Sequence, residues 1–385
     1  MRVLHVVTLH TPTHDFGGPT RVALNLSRGL RQRGVHSAMV ALGEGFDGAM
    51  PRVVDGVPAR LFPARHVLPR FEVSGITSPT MLARAGSLVR SADVVHVHLM
   101  RDLVTLPFAL AALACGRPLV LQTHGMVDPG RNRVARLVDV LGLRRVLERA
   151  DAVLHLTEQE RRDTAAVVPG GRMGPAYRLV NGVPLQERRP VREGGPATVL
   201  YLARIQERKR PQDFVSAIPT VLAARPDTRF VMAGPDTGAM ADDLLALARK
   251  QGVAHALEYV GPLDHEAVKA QLRASDVYVL PSIVEPFAVS VLEAMSIGVP
   301  VVVTRTGGLS PDVEAAGAGR LVDSSPRADN GERVGKAILD LLEPAANARA
   351  SAAAHTLVRD SFTLEGVVDT LQDVYARALT RAGRR

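Results

Sequence analysis

The chain has 385 residues and a formal net charge of +8, with a pI near 10.2. That length points to two domains. A 46% hydrophobic fraction supplies their cores, although tryptophan is absent and aromatics make up only 4%. The single cysteine, Cys115, excludes an internal disulfide and favours a reducing compartment, so a cytoplasmic protein is expected. The arginine excess admits anionic lipid, phosphorylated substrates or nucleic acid as partners. No basic stretch is interleaved with aromatics, so nucleic acid is not expected. The start lacks the apolar core of a signal peptide. The longest apolar run, 103–116, contains Pro107 and falls short of the roughly 20 residues that a membrane span needs.

Residues 3–8 (VLHVVT) form the first expected strand, and 19–33 the helix after it, opened by Pro19 and stopped by Gly34. Gly17 and Gly18 lie between the two, where a backbone nest can meet a phosphate or the loop is merely flexible. The G-x-G-x-x-G spacing of a dinucleotide site is missing, which disfavours an oxidoreductase. Further strands are read at 35–42, 57–62 and 93–98 (DVVHVH), with a helix at 81–91. Alternation sets His96 and His98 on one side of their strand. A metal pair is one reading, but no third ligand of suitable spacing follows, so no metal is expected and His98 is taken to line a cleft. The strand 118–123 ends at His124, a place suited to chemistry or to a satisfied structural histidine. Residues 131–149 read as an arginine-rich amphipathic helix or helix pair. Its polar face is either solvated or attached to an anionic membrane surface. The strand 151–157 follows, and 179–184 closes the N-terminal half with an Asn-Gly turn.

The charged, aperiodic stretch 186–196 reads as a linker. A strand at 198–203 delivers Arg204, with Lys209 in the loop beyond; two fixed cations can neutralise a diphosphate without a metal. Strands at 229–233, before Gly234-Pro235, and at 257–260, containing Tyr259 and Val260, alternate with helices. Residues 276–308 then read as strand, loop, helix, strand and glycine turn. Glu285 sits in the loop and Glu293 eight positions later on the helix, just over two turns away. Backbone N–H groups of Ala288, Val289, Ser290 and Val291 stand at the helix start, where an anion binds. Phosphate donors and two carboxylates for sugar hydroxyls suit a sugar nucleotide. A strand at 319–323 and helices at 337–342, 345–358 and 362–382 complete the chain.

EPFAVSVLEAM resembles the Glu-(seven residues)-Glu motif of family 4 retaining glycosyltransferases of the GT-B fold. The resemblance covers nearly the whole chain and is strongest from about 198 to 310. It implies that Glu285 contacts the donor sugar and Glu293 the ribose. It implies that Arg204 and Lys209, five positions apart as in the family, serve the diphosphate. Gly17 and Gly18 then fall on the donor-phosphate or acceptor side, Gly234 on a donor-site turn, and Tyr259 and Val260 near the base. THGM is similar to a subset of the family in which the histidine lies near the transferred sugar, which assigns His124. Ala288 departs from the family's usual glycine.

The expected architecture is therefore α/β, with two Rossmann-like doubly wound sheets facing a central cleft. An acceptor-binding domain spans 1–185 and a nucleotide-sugar domain 196–365, with the helix from about 366 to 385 packing back on the first. The expected activity is metal-independent retaining transfer of a hexose-type sugar from a nucleoside-diphosphate sugar to a hydroxyl acceptor, without a cofactor. Because no Asp-x-Asp triplet occurs, a metal-bridged diphosphate is not indicated. The expected setting is cell-envelope polysaccharide or glycolipid assembly, with a lipid-linked acceptor and peripheral contact at the inner membrane face. Secondary metabolism and a same-fold sugar-nucleotide epimerase are the alternatives.

Overall fold

The computed structural model describes the chain apart from residues 13–17, 131–132, 191–193, 284, 324, 326–329 and 384–385. Its contacts divide into two units, Met1–Asn181 with Leu364–Arg385, and Gly182–Thr363.

The first unit holds β1 (Arg2–His10), β2 (His36–Gly43), β3 (Val53–Val54), β4 (Val57–Pro63), the hairpin β5 (Arg65–His66) and β6 (Ile76–Thr77), β7 (Val94–His98), β8 (Leu119–Gln122), β9 (Ala152–His155) and β10 (Ala176–Arg178). The main sheet runs β10-β9-β8-β7-β1-β2-β4-β3. All its pairings are parallel except β3 with β4. The strands are valine-rich because both faces are covered. On one face Val95, Val97, Leu119 and Leu121 pack with Met81, Leu88 and Phe108. On the other, Val3, Val94 and Val120 pack with Val367, Leu371, Val374 and Tyr375 of the C-terminal helix Leu364–Ala382. That helix approaches the helix Gly18–Gln32 so closely that a Cβ on Gly29 would stand 2.5 Å from Val368 Cγ2. Strand order reverses between β1 and β7, the crevice where open α/β sheets bind ligands.

The second unit holds β11 (Thr198–Leu202), β12 (Arg229–Ala233), β13 (Leu257–Gly261), β14 (Val277–Leu280), β15 (Val301–Thr304) and β16 (Gly319–Val322). They form one parallel sheet in the order β13-β12-β11-β14-β15-β16. In chain order this is 3-2-1-4-5-6, the Rossmann arrangement, with its reversal between β11 and β14.

One expectation needs correction. The stretch 186–196 is not a free linker in its described part. The units divide before it, and Arg189 is 5% exposed with Nη1 3.3 Å from Asp276 Oδ1. Its charged composition conceals a partner 87 residues away. The arginine-rich segment, described from Arg133, is one helical run: Arg133–Val138, a π turn over Asp139–Leu143, then Arg144–Arg149. Asp139 is buried because Arg101 Nε bonds it at 2.7 Å, while Val134, Leu137, Val140 and Leu141 are exposed. Among the described residues no helix is long and apolar enough to cross a membrane.

Candidate active site

In the second unit, two loops meet at the strand-order reversal. The β11 loop carries Arg204 and Lys209; the β14 loop carries Glu285. Lys209 Nζ contacts the Glu285 carboxylate, and both side chains are nearly buried. The Ile283 N–H donates to Arg208 O at 3.0 Å, which ties the loops together. The Gly308 N–H donates to Glu285 O at 2.8 Å, so the glycine turn after β15 holds the same loop. Glu285, Ala288, Val291, Thr304, Gly307 and Gly308 help line a pocket there. Arg204 is exposed and has no side-chain partner among the described residues. A cation left without an anion at such a place is suited to receive one.

Glu293 lies on the helix Val289–Ser296, which follows this loop. Both carboxylates act on one phenol: burial first, then Glu293 and Glu285, push the Tyr278 pKa upward. The Tyr278 hydroxyl lies 2.8 Å from Ser290 Oγ and 2.9 Å from Leu202 O, which fixes the helix start against β11. Ala288 is the N-cap (φ −82°, ψ 102°) and supplies no side-chain cap. Of the expected amide donors, Val291 N–H is already bonded to Ala288 O at 3.2 Å, which corrects that assignment. The tightened first turn consumes it, and Ala288, Val289 and Ser290 remain as donors.

Gly234 follows β12 with φ 129°, and a Cβ there would lie 2.0 Å from Ala203 O, so only glycine fits. The Tyr259 hydroxyl donates to Gly234 O at 3.0 Å. Tyr259 and Val260 are half-buried on β13. The ends of β11, β12 and β13 are thus knitted into one edge, with Arg204 at its margin.

The first unit places His124 just beyond β8 in a left-handed conformation (φ 51°), half-buried and followed by Gly125 (φ 73°). A residue missed from the sequence, Glu160, clamps this turn. Its Oε1 accepts from Thr123 Oγ1 and Gly125 N, each at 2.6 Å, and its Oε2 accepts from Leu156 N at 2.6 Å. The signal was Thr157-x-x-Glu160, a capping-box pattern whose Thr157 Oγ1 accepts from Glu160 N at 3.1 Å.

His98 is 1% exposed and does not line a cleft; it lies behind His124, with Nδ1 2.7 Å from His124 Nε2. The missing third imidazole is His5, set beside His96 by the β1–β7 register. His5, His96 and His98 offer nitrogens within 4.8 Å of one another. They are engaged with one another and with Tyr375. His98 Nε2 lies 3.1 Å from His5 Nδ1, and His96 Nδ1 lies 2.7 Å from the Tyr375 hydroxyl. Burial lowers the pKa of His5 and of His124 to about 3. Burial and the neighbouring imidazoles hold His96 and His98 well below the usual range. The cluster is neutral near pH 7. Gly18 opens its helix with no atom within 4 Å of a Cβ position, and Gly17 lies outside the described residues.

Two Rossmann-like units with a cation-and-carboxylate site at a strand-order reversal define a GT-B glycosyltransferase. Two family models match the chain, Glycosyl transferases group 1 over residues 184–354 and Glycosyl transferase 4-like domain over residues 17–173, and the chain belongs to this glycosyltransferase family. Its relatives include D-inositol 3-phosphate glycosyltransferase 2 of Catenulispora acidiphila, 29% identical over 98% of this chain and 94% of the relative. The D-inositol 3-phosphate glycosyltransferase of Corynebacterium jeikeium is 28% identical over 88% of this chain and 87% of its own. Solved structures of the same fold include Anabaena HepE in complex with UDP and glucose, with a TM-score of 0.74 at 16% identity over 98% of this chain and 99% of that one. Sucrose-phosphate synthase from Thermosynechococcus elongatus gives 0.72 at 19% identity over 99% and 100%.

Proposed function

We propose that the protein is a retaining, metal-independent glycosyltransferase that moves a hexose-type sugar from a nucleoside-diphosphate sugar to a hydroxyl acceptor. The observation that carries this reading is the buried Lys209–Glu285 contact at the reversal between β11 and β14, in a unit that also offers Arg204, whose side chain has no partner among the described residues. Arg204, Lys209 and the amides of Ala288, Val289 and Ser290 stabilise the negative charge that grows on the departing diphosphate. Glu285 orients the donor sugar and Glu293 the ribose. Gly234, Tyr259 and Val260 shape the place of the base. From the first unit, His124 helps to position the sugar, and Gly17 and Gly18 serve the phosphate or acceptor side. Departure and attack on one face of the sugar give retention without a protein nucleophile, so none is assigned.

The first unit is taken as the acceptor side. The relatives' name makes inositol 3-phosphate the first acceptor to try. A lipid-linked acceptor of cell-envelope assembly is supported by Val134, Leu137, Val140 and Leu141, which are exposed beside Arg133 and Arg136 on one helical run. The test is a thermal-shift panel of nucleoside diphosphates and their sugars, with and without magnesium. A ligand bound only by the native state raises the melting point. A rise with one nucleoside diphosphate in the absence of magnesium supports the reading. No rise with any of them, and a rise with NAD instead, defeats it.

A further inference from the structure

The four imidazoles at the β1–β7 reversal include a hydrogen-bonded chain that ends at the surface. His5 Nδ1 meets His98 Nε2 at 3.1 Å, and His98 Nδ1 meets His124 Nε2 at 2.7 Å. His5 and His98 are buried, and the far nitrogen of His5, Nε2, is a buried atom without a hydrogen-bond partner among the described residues. At the other end His124 is half-buried, and its Nδ1 makes no hydrogen bond to any described residue.

A neutral imidazole carries one N–H and one bare nitrogen. His98 therefore donates in one of its two bonds and accepts in the other, and the three rings share one direction. If the protons sat on Nε2 throughout, the chain would end in an N–H of His5 buried with nothing to receive it. If they sit on Nδ1, the chain ends in a bare His5 nitrogen. Buried N–H groups without an acceptor are the rarer and costlier fault. We propose that His98 is a positioning residue that fixes the tautomer of His124: His5 donates to His98, His98 donates to His124, and His124 presents its Nδ1–H outward as a hydrogen-bond donor to a substrate oxygen. His124 is thereby a donor and not a general base. The Glu160 clamp on Thr123, Gly125 and Leu156 holds the turn that aims it. This inference rests on the reading above that His124 meets substrate, but the proton order does not.

The first experiment is therefore independent of activity. In the native protein labelled with nitrogen-15 at histidine, the ring correlations near pH 7 report each tautomer. Nδ1–H on both His98 and His124 is the expected result; Nε2–H on His124 overturns the proposal, whether or not any variant folds. The second is kinetic. His98→Leu removes the donor and is expected to lower kcat about 100-fold with the donor KM within about twofold, the scale of one misaimed hydrogen-bond donor. His98→Asn keeps an N–H at the δ position and is expected to recover most of that loss. Unchanged kcat in His98→Leu, or equal damage by both substitutions in folded protein, overturns the positioning role. A native enzyme with the expected tautomers that transfers no sugar from any donor refutes the transferase reading instead.

Discussion

Lys209 and Glu285 lie 76 residues apart, yet their side chains are in contact, at 12% and 13% exposure. Each follows a strand that flanks the reversal of the second sheet, so the pair spans the place where a ligand enters. A cation held there by a carboxylate is pre-positioned for a diphosphate and needs no reorganisation when charge develops. Lys209→Ala is expected to lower turnover about 100-fold or more while circular dichroism stays native. Unchanged turnover in the folded variant would count decisively against the proposed donor site.

Ala288 offers a finer test. It caps the helix Val289–Ser296 with a methyl group that lines the pocket and hydrogen-bonds nothing. Ala is a poor N-cap and Gly a better one, but Gly costs more chain entropy on folding. These effects are each about 0.5–1 kcal/mol and of opposite sign, so Ala288→Gly should barely move the melting point. It removes the methyl from the donor side, and a lower donor KM is expected. A donor KM that rises, at unchanged stability, means that the methyl is itself a contact.

Arg189 is the test of the unit boundary. Its ion pair with Asp276 is buried on both sides. Breaking a buried pair costs up to about 3–5 kcal/mol, and Asp276 keeps its bond from the Thr198 N–H at 2.9 Å, so a loss toward the lower end is expected. Arg189→Ala should shift the urea midpoint of the second unit accordingly. A change below about 1 kcal/mol would restore the segment to the status of a linker.

The sheets were legible because their strands are buried on both faces and so read as runs of valine and leucine. Arg204, Lys209, Glu285 and Glu293 were legible as candidates because each falls at a strand end or on a helix, at a spacing that the local sequence carries. The contact between Lys209 and Glu285 was not, since it depends on β11 and β14 being neighbours. His5 was hidden for the same reason: its ring reaches His96 only through a register between strands 91 residues apart. Glu160 was within reach, because Thr157-x-x-Glu160 announces a helix start, but its second task on the His124 turn is a tertiary one.

The same imidazoles predict how the first unit fails in acid. Burial holds His5, His96, His98 and His124 each below its ordinary pKa, His5 and His124 near 3. Their folded values lie under the unfolded value of about 6.5, so between the two the unfolded chain binds protons that the native chain does not. Stability is complete above about pH 6.5 and is lost as the pH falls, by about 1.4 kcal/mol per unit for each histidine. Asp102 works the other way. Burial raises its pKa, so the native state takes up a proton before the unfolded one does, which offsets part of the histidine slope in acid. Four histidines against one carboxyl still leave a net loss of a few kcal/mol per unit, set against a typical total of about 5–15 kcal/mol. Thermal melts from pH 7.5 down to 5 should therefore fall steeply below 6.5, before ordinary carboxylates titrate, and His5→Gln should flatten the slope by about one proton. A melting point that stays level from 7.5 to 5 would mean that the imidazoles are already charged in the native protein. The neutral donor chain ending at His124 would then be wrong as well.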